Sequence, residues 1–469
     1  MNWARSIADR AGWQQAAQRL HAGEASLLGL WAEPGFAHMA LMQSDACELL
    51  SFACDENRFP SVGRLHPPAI RLERAIRDLV GLEPEGSPDT RPWLRHGGGY
   101  PFLSAEGESL HQIPVGPVHA GIIEPGHFRF TANGETVVRL EARLGYVHKG
   151  IDALMAGASI ERAAVLAGRV SGDSTVAFAL AFALAVEAAL CAEVPPRAVW
   201  LRGLAAELER LANHFGDIGA VCNDAAFAVM HAQCGLLREQ VLRTADACFG
   251  HRLMMDRVIP GGMQRDLPGE GERLLRALVA DVRKRFPELV ELYEDTASLK
   301  DRTVGTGILS SALARQFAAG GYVGRASGRG FDARRSPGYA PYDRLQFEVP
   351  TVQAGDVNAR VWIRIREVEQ SLGLVEQLLH GLPSGKVSIP ISPSKKYSSG
   401  EGLALVEGFR GDILAWARID PDGKVARCHL RDPSWFQWPL LEAAIEGNIV
   451  ADFPLCNKSF NCSYSGHDL

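Results

Sequence analysis

The rhythm of apolar and polar positions changes several times along this chain, and each change marks an element. Residues 27–43, LLGLWAEPGFAHMALMQ, alternate loosely, as a hairpin does. Residues 69–82, AIRLERAIRDLVGL, switch to helical spacing, with Pro68 where helix starts tolerate it and Gly81 at the C-terminal end. Gly97 to Gly99 punctuate the chain as a linker. From about residue 110 the pattern is again strand-like, and Asn133-Gly134 is a strong hairpin signal. Residues 138–187 organise the rest: a strand, a turn at Gly145, a helical HKGIDALMAG segment, the polar turn Arg169-Val170-Ser171-Gly172-Asp173-Ser174, and an apolar helix. Ser159 to Ala192 reads as helical on both sides of that turn. A long helical region opens after Pro195-Pro196, several helices follow through 270–320, and an amphipathic helix over 357–382 ends at Gly381. Residues 403–430 read as a hairpin around Pro421-Asp422-Gly423, and a last helix is expected near 437–447.

The pattern predicts an α+β protein: a small N-terminal α+β domain (1–95), a linker (96–109), and a large, mainly helical bundle domain with small antiparallel sheets (110–469). Bundles of this kind build redox and metal sites from facing helices and helix ends.

Composition narrows the function. With 46% hydrophobic and 22% charged residues and a net charge of −6, the chain has an ordinary globular make-up and gives no reason to expect nucleic-acid binding. The start, MNWARSIADRAGWQQ, has no apolar h-region, so no signal peptide is expected. The run Val176–Val186 is closed by Glu187 and is too short to span a bilayer. Any membrane contact is therefore expected only through partners. Nine cysteines without a CxxC argue against a disulfide framework or a zinc site, and most read as buried thiols. No GxGxxG stands in a strand-turn-helix context, so NAD is not expected on this chain.

A polar, glycine-containing turn at the head of a buried helix suits a reactive centre, and here it carries serines. Asp173 offers a carboxylate or caps the following helix. His148 and Lys149 read as the lining of a channel or as a polar face at a subunit contact. Arg325, Arg329, Arg334 and Arg335 read as a solvated face or a subunit contact.

Phe59-Pro-Ser-Val, the HPP-to-helix segment and EGSPDTRPWL resemble the 30-kDa-type subunit of respiratory complex I. The rest is similar to its 49-kDa-type partner: GPVH (116–119), LGYVHKGID (144–152), ELERLANH (207–214), PGGMQRDL (260–267), RASGRGFDARRSPGYAPYD (325–343), REVEQSL (366–372) and EGFRGDILAW (407–416). The fusion of both, and the ending DFPLCNKSFNCSYSGHDL, resemble the large subunit of group 4 nickel–iron hydrogenases of the hydrogenase-4 and formate hydrogenlyase type.

That resemblance implies a nickel–iron centre held by two CxxC pairs, and this chain departs from it. The first pair falls on Ser171 and Ser174, the second on Ser463 and Gly466, and the histidine expected after the first is Phe178. Serine hydroxyls are hard and hold their protons, so they do not replace thiolates. Cys456 and Cys462 lie close by, with the wrong spacing. No metal is therefore expected.

In the complex I homologue the same cavity takes a quinone headgroup with a histidine, a tyrosine and an aspartate. These positions fall on His119, Gly172 and Asp224, so the phenol is lost; Tyr464 and Tyr146 are alternative substitutes. The resemblance places Asp152 where hydrogenases keep a proton-moving glutamate. It also implies that Arg169 faces an iron–sulfur cluster of a partner subunit; the alternative is a structural pair with Glu161 or Asp173.

The expected function is thus a subunit of a complex I-like or hydrogenase-4-like oxidoreductase, coupling electron transfer to proton movement or quinone chemistry without a nickel–iron site. The expected partners are an iron–sulfur small subunit resembling the B-type one of complex I, and membrane proteins of the antiporter-like and H-type kinds. The expected place is peripheral on the cytoplasmic face of the cell membrane. The alternatives are a redox-inert scaffold and a hydrogenase with substituted ligands.

Overall fold

Leu414 and Trp416 of one sheet pack against Leu28, Trp31 and Leu49 of another, and this contact joins the two ends of the chain. The computed structural model describes residues 3–94, 99–119, 121, 123–391 and 400–469; Gly97 and Gly98 of the expected linker lie outside the described residues. The N-terminal sheet has the order β1-β4-β3-β2, with β1 (Trp3–Ala8), β2 (Ser26–Glu33), β3 (Phe36–Gln43) and β4 (Ala46–Ala53); β1 runs parallel to β4 and the other pairs are antiparallel. Helices α1 (Arg10–His21) and α2 (Ile70–Val80) accompany it, and α2 ends on Gly81 at φ +78 as its sequence predicts. Between Gly86 and Ser109 the described residues form no helix or strand.

The next sheet is antiparallel and consists of β5 (Leu110–Val115), β6 (His127–Asn133) and β7 (Thr136–Arg143), with Asn133-Gly134 turning β6 into β7. The described residues among 116–126 are not strand: Gly116 at φ +83 ends the strand pattern, and a Cβ there would lie 2.3 Å from the Gly126 carbonyl oxygen. Short helices α3 (Ile151–Met155) and α4 (Ile160–Ala167) lead to the polar turn, and α5 (Thr175–Ala189) follows it. All but two residues of α5 are buried, so its apolar sequence serves a core.

The long helical region after Pro195 is two helices, α6 (Pro196–Asp224) and α7 (Ala228–Phe249), folded back at Ala226, whose φ of +64 no helix sustains. Helices α8 (Gly271–Asp295), α9 (Ala297–Thr303), α10 (Ser311–Gln316), α11 (Gly321–Ala326) and α12 (Val357–His380) complete the bundle. The expected hairpin near the C-terminus is a three-stranded sheet of β8 (Gly400–Gly408), β9 (Gly411–Ile419) and β10 (Val425–Arg431). Its second turn is the expected one. Its first, at Phe409-Arg410, is not expected from the sequence pattern, although glycines flank it. Helices α13 (Ser434–Ile445), α14 (Phe453–Phe460) and α15 (Tyr464–Asp468) close the chain.

The C-terminal sheet lies between the N-terminal sheet and the helical bundle. Its alternation puts Leu403, Leu405, Leu414 and Trp416 on the N-terminal sheet and Ala404, Val406, Ile413 and Ala415 on the bundle core. Glycine lets α5 approach β8 closely, because a Cβ on Gly402 would fall 1.8 Å from the Ala185 carbonyl oxygen. Two arginines of the expected basic face are buried instead. Arg325 pairs with Glu367 and Glu407, and Arg334 with Glu207 and Asp332. Except for Asp332, two residues from Arg334, these partners come from remote elements, which local sequence does not reveal. Arg335 is exposed.

Candidate functional site

The polar turn and the C-terminal segment meet. Ser171 Oγ lies 3.2 Å from Ser463 Oγ, so positions 292 residues apart share a hydrogen bond. Ser463 Oγ also accepts from the Gly466 N–H at 2.8 Å, capping α15. The segment is fixed from behind by Asp468, whose carboxylate accepts the Gly145 and Val147 N–H groups. His148 Nδ1 bonds the Asp468 carbonyl oxygen, and Lys149 Nζ donates to the Val170 carbonyl.

All four degenerate ligand positions thus converge, but their chemistry is closed. Ser171, Ser174 and Ser463 are at most 5% exposed. Ser171 Oγ donates to Asp173 at 2.6 Å, and Arg410 grips both oxygens of the same carboxylate. Burial opposes the Asp173 charge, yet the adjacent Arg410 holds the carboxyl down to about 2. At the fourth position there is no room: a Cβ on Gly466 would lie 2.4 Å from Asp432 Oδ2. Hard hydroxyls, a blocked position and a fixed guanidinium do not fit a nickel–iron centre. Among the described residues no group of three or more His, Cys, Asp or Glu could hold a metal ion.

A second cavity, about 260 Å³, adjoins this cluster. His119, Ile123, Phe128, Asp224, Lys458, Asn461, Cys462 and Tyr464 are among its lining residues. His119 is delivered by the loop after Gly116, Asp224 by the last residue of α6, and Tyr464 by the first of α15. Gly126 leaves space for the phenol, since its Cβ would stand 2.6 Å from the Tyr464 ring. The His119 and Tyr464 ring centroids are 6.4 Å apart. His119 Nε2 and Tyr464 Oη are buried with no hydrogen-bond partner; Asn457 approaches the phenol without completing a bond.

Burial lowers the His119 pKa and raises that of Tyr464, so both are neutral near pH 7. Burial also raises the Asp224 carboxyl, against the pull of Lys458. Its place at the negative end of a helix acts in the same direction. Both cysteines flagged from sequence are buried; burial pushes the Cys456 thiol up to about 11 and raises that of Cys462 further.

The remaining expected residues lie elsewhere. Gly172 opens onto a separate cavity of about 160 Å³ with Asp173, Glu209, Asn213 and Arg238, and nothing stands within 4 Å of where its Cβ would be. Tyr146 does not line the His119 cavity. Arg169 pairs with neither Glu161 nor Asp173; its guanidinium makes a two-bond pair with Asp256, at 2.8 and 2.7 Å. Asp152 bonds His429 Nδ1 on β10 at 2.9 Å. A roomier cavity of about 370 Å³, between Ile160, Val165, Asp256 and Ile391, collects none of the expected site residues. Sequence reasoning assigns no role to Arg410, His429 and Asp432, although the first lies within the quoted EGFRGDILAW motif. The turn between Gly408 and Gly411 is the available signal for the first; the other two give none.

Comparisons with known proteins show what the chain as a whole is similar to. Residues 29–104 match the family model of the respiratory-chain NADH dehydrogenase 30 Kd subunit, and residues 224–396 that of the 49 Kd subunit. Over 438 residues the chain is 31% identical to formate hydrogenlyase subunit 5 of Escherichia coli (strain K12), covering 87% of this chain and 77% of that protein. Hydrogenase-4 component G of the same organism is 32% identical, with 88% and 76% covered. The D-type NADH-quinone oxidoreductase subunit of Dehalococcoides mccartyi (strain ATCC BAA-2266 / KCTC 15142 / 195) is 31% identical over 72% of this chain and 93% of its own. Among solved structures, a chain of the membrane-bound sulfane sulfur reductase, an archaeal respiratory membrane complex, superimposes with a TM-score of 0.72 at 27% identity, covering 78% of this chain and all of that one.

Proposed function

The chain belongs to the family of complex I 49-kDa-type and hydrogenase-4-type large subunits, with a 30-kDa-type part fused ahead and the nickel-ligand cysteines lost, and on that premise we propose that it couples electron transfer to quinone with proton movement. It sits at the junction of an iron–sulfur small subunit and a membrane ion-translocating module, on the cytoplasmic side. In this reading residues 1–95 form the 30-kDa-like domain and residues 110–469 the quinone-facing one.

The observation that carries the quinone reading is the pair of unpartnered polar atoms, His119 Nε2 and Tyr464 Oη, lining one cavity with Asp224. An unsatisfied buried donor costs roughly 1–3 kcal/mol, so two on one wall point to a ligand that accepts from both. A carbonyl oxygen is such a ligand. A quinone, when bound, supplies two carbonyl oxygens that take up electrons and protons. His119, neutral, donates through Nε2 when its proton resides there. Tyr464, its pKa raised, stays a phenol and donates its O–H. Asp224 keeps its proton to higher pH than a solvated carboxyl and is placed to give it up. Phe128 and Ile123 form the apolar wall.

The test is binding of a quinone analogue to the assembled complex, repeated with His119→Ala and Asp224→Asn. Binding that is absent, or that neither change affects, sinks the quinone reading and leaves the scaffold reading. Stoichiometric nickel in purified protein would overturn both.

A further inference from the structure

The cavity that holds His119 and Tyr464 has a second polar end. Lys458, half-buried in the last turn of α14, lines it together with Asp224 at the end of α6. Among the described residues the lysine ammonium has no hydrogen-bond or ion-pair partner. Its charge pulls on the Asp224 carboxyl, yet the two do not close into an ion pair. Neither charge registers at the other end. Burial alone lowers the His119 pKa, and Tyr464 responds to burial, Asn457, Cys462 and Glu124, with no effect of Lys458 or Asp224. The two polar ends therefore stand apart, and apolar side chains bridge them. The Phe128 ring centroid lies 5.6 Å from that of His119 and 4.9 Å from that of Phe453, which belongs to the same helix as Lys458. Val115 and Ile123 extend this lining.

We infer that Lys458 is the second anchor of the cavity: its ammonium binds the far carbonyl oxygen of a flat ring whose near carbonyl His119 and Tyr464 hold. The inference rests on the quinone reading and narrows it to one class, ring diones with carbonyls on opposite sides. An ammonium offers three donors and no acceptor, and its bonds to oxygen are charge-assisted. An apolar slot with donors at both ends is matched by a ring with acceptors at both ends. A single ketone satisfies one end and strands the other. A lysine here also suits the negative end of α14, but that role involves no ligand and gives no preference between a dione and a ketone.

The test titrates the assembled complex with two probes, 2,3-dimethyl-1,4-naphthoquinone and α-tetralone, a bicyclic ketone with one carbonyl, and reads both affinities by calorimetry. The dione is expected to bind at least roughly tenfold more tightly than the ketone, the gain of one charge-assisted hydrogen bond. Lys458→Met should bring that ratio down to about one, whichever way round the ketone sits. Lys458→Gln, closer to lysine in polarity but uncharged, is the second variant and should remove most of the preference. A ratio that neither substitution changes, or a wild-type ratio near one, overturns the inference and leaves the quinone reading standing. A wild-type complex that binds neither probe overturns both.

Discussion

His119 and Tyr464 come from segments 345 positions apart in the chain and stand with ring centroids 6.4 Å apart, each with its polar atom unpaired. The phenol lost at Gly172 thus has a counterpart entering the His119 cavity from the C-terminal segment. Tyr464→Phe separates binding from stability. Removing an unpaired buried hydroxyl should leave stability unchanged or raise it by up to about 1 kcal/mol. Quinone-analogue affinity should fall roughly fivefold to tenfold, as expected for a lost neutral hydrogen bond. Urea unfolding and an analogue titration check the two halves; unaltered affinity removes Tyr464 from the site.

Gly126 controls the same phenol. A methyl group there would lie 2.6 Å from the Tyr464 ring, so Gly126→Ala must displace it. The expected cost is about 1–3 kcal/mol, typical of overpacking, together with the affinity loss of Tyr464→Phe. Combining both changes should add little to the affinity loss, which a double-mutant comparison measures.

The acid side of the stability curve should depend on Glu33. Burial opposes its charge, but His38 and then Arg418 outweigh it and hold the carboxyl at about 2, from an ordinary 4.5. A depressed folded pKa gives stability that is full above 4.5 and lost as pH falls through about 2. That difference corresponds to roughly 3 kcal/mol. Glu33→Gln should lower the urea midpoint at pH 7 and flatten its decline between pH 4.5 and 2. The pair also joins the two packed sheets, with Arg418 reaching Glu33 from β9.

Asp152 and His429 each keep one buried polar atom without a partner, Oδ1 and Nε2, beyond the bond they share. If this pair carries protons, Asp152→Asn should slow proton uptake by the assembled complex roughly tenfold to a hundredfold while analogue binding at His119 persists. Unchanged uptake would mark the pair as a structural link between α3 and β10.

Arg169 tests the cluster reading. Its pair with Asp256 is more than one-third exposed on each side, so Arg169→Ala should change stability by less than about 1 kcal/mol. The potential of the partner's cluster should nevertheless become more negative in a titration followed by electron paramagnetic resonance. A potential that does not move assigns Arg169 to structure alone.

Local order was legible in the chain: the α2 stop at Gly81, the Asn133-Gly134 hairpin and the burial of α5, whereas the loss of thiolates at Ser171, Ser174, Ser463 and Gly466 was legible only through the family resemblance. The first three depend on backbone preference, periodicity and residue type, which neighbours in sequence express. His119 and Asp224 could be placed from motif spacing, but only the fold shows that they share a wall with Tyr464 rather than Tyr146. The partners of Asp173, Arg169, Arg325 and Asp152 were beyond the sequence for one reason. A buried charge must be neutralised by whatever the packing brings near it, and here that partner lies 87 positions away for Arg169 and 237 for Asp173. Sequence determined which chemistry had been lost; tertiary packing decided what replaced it.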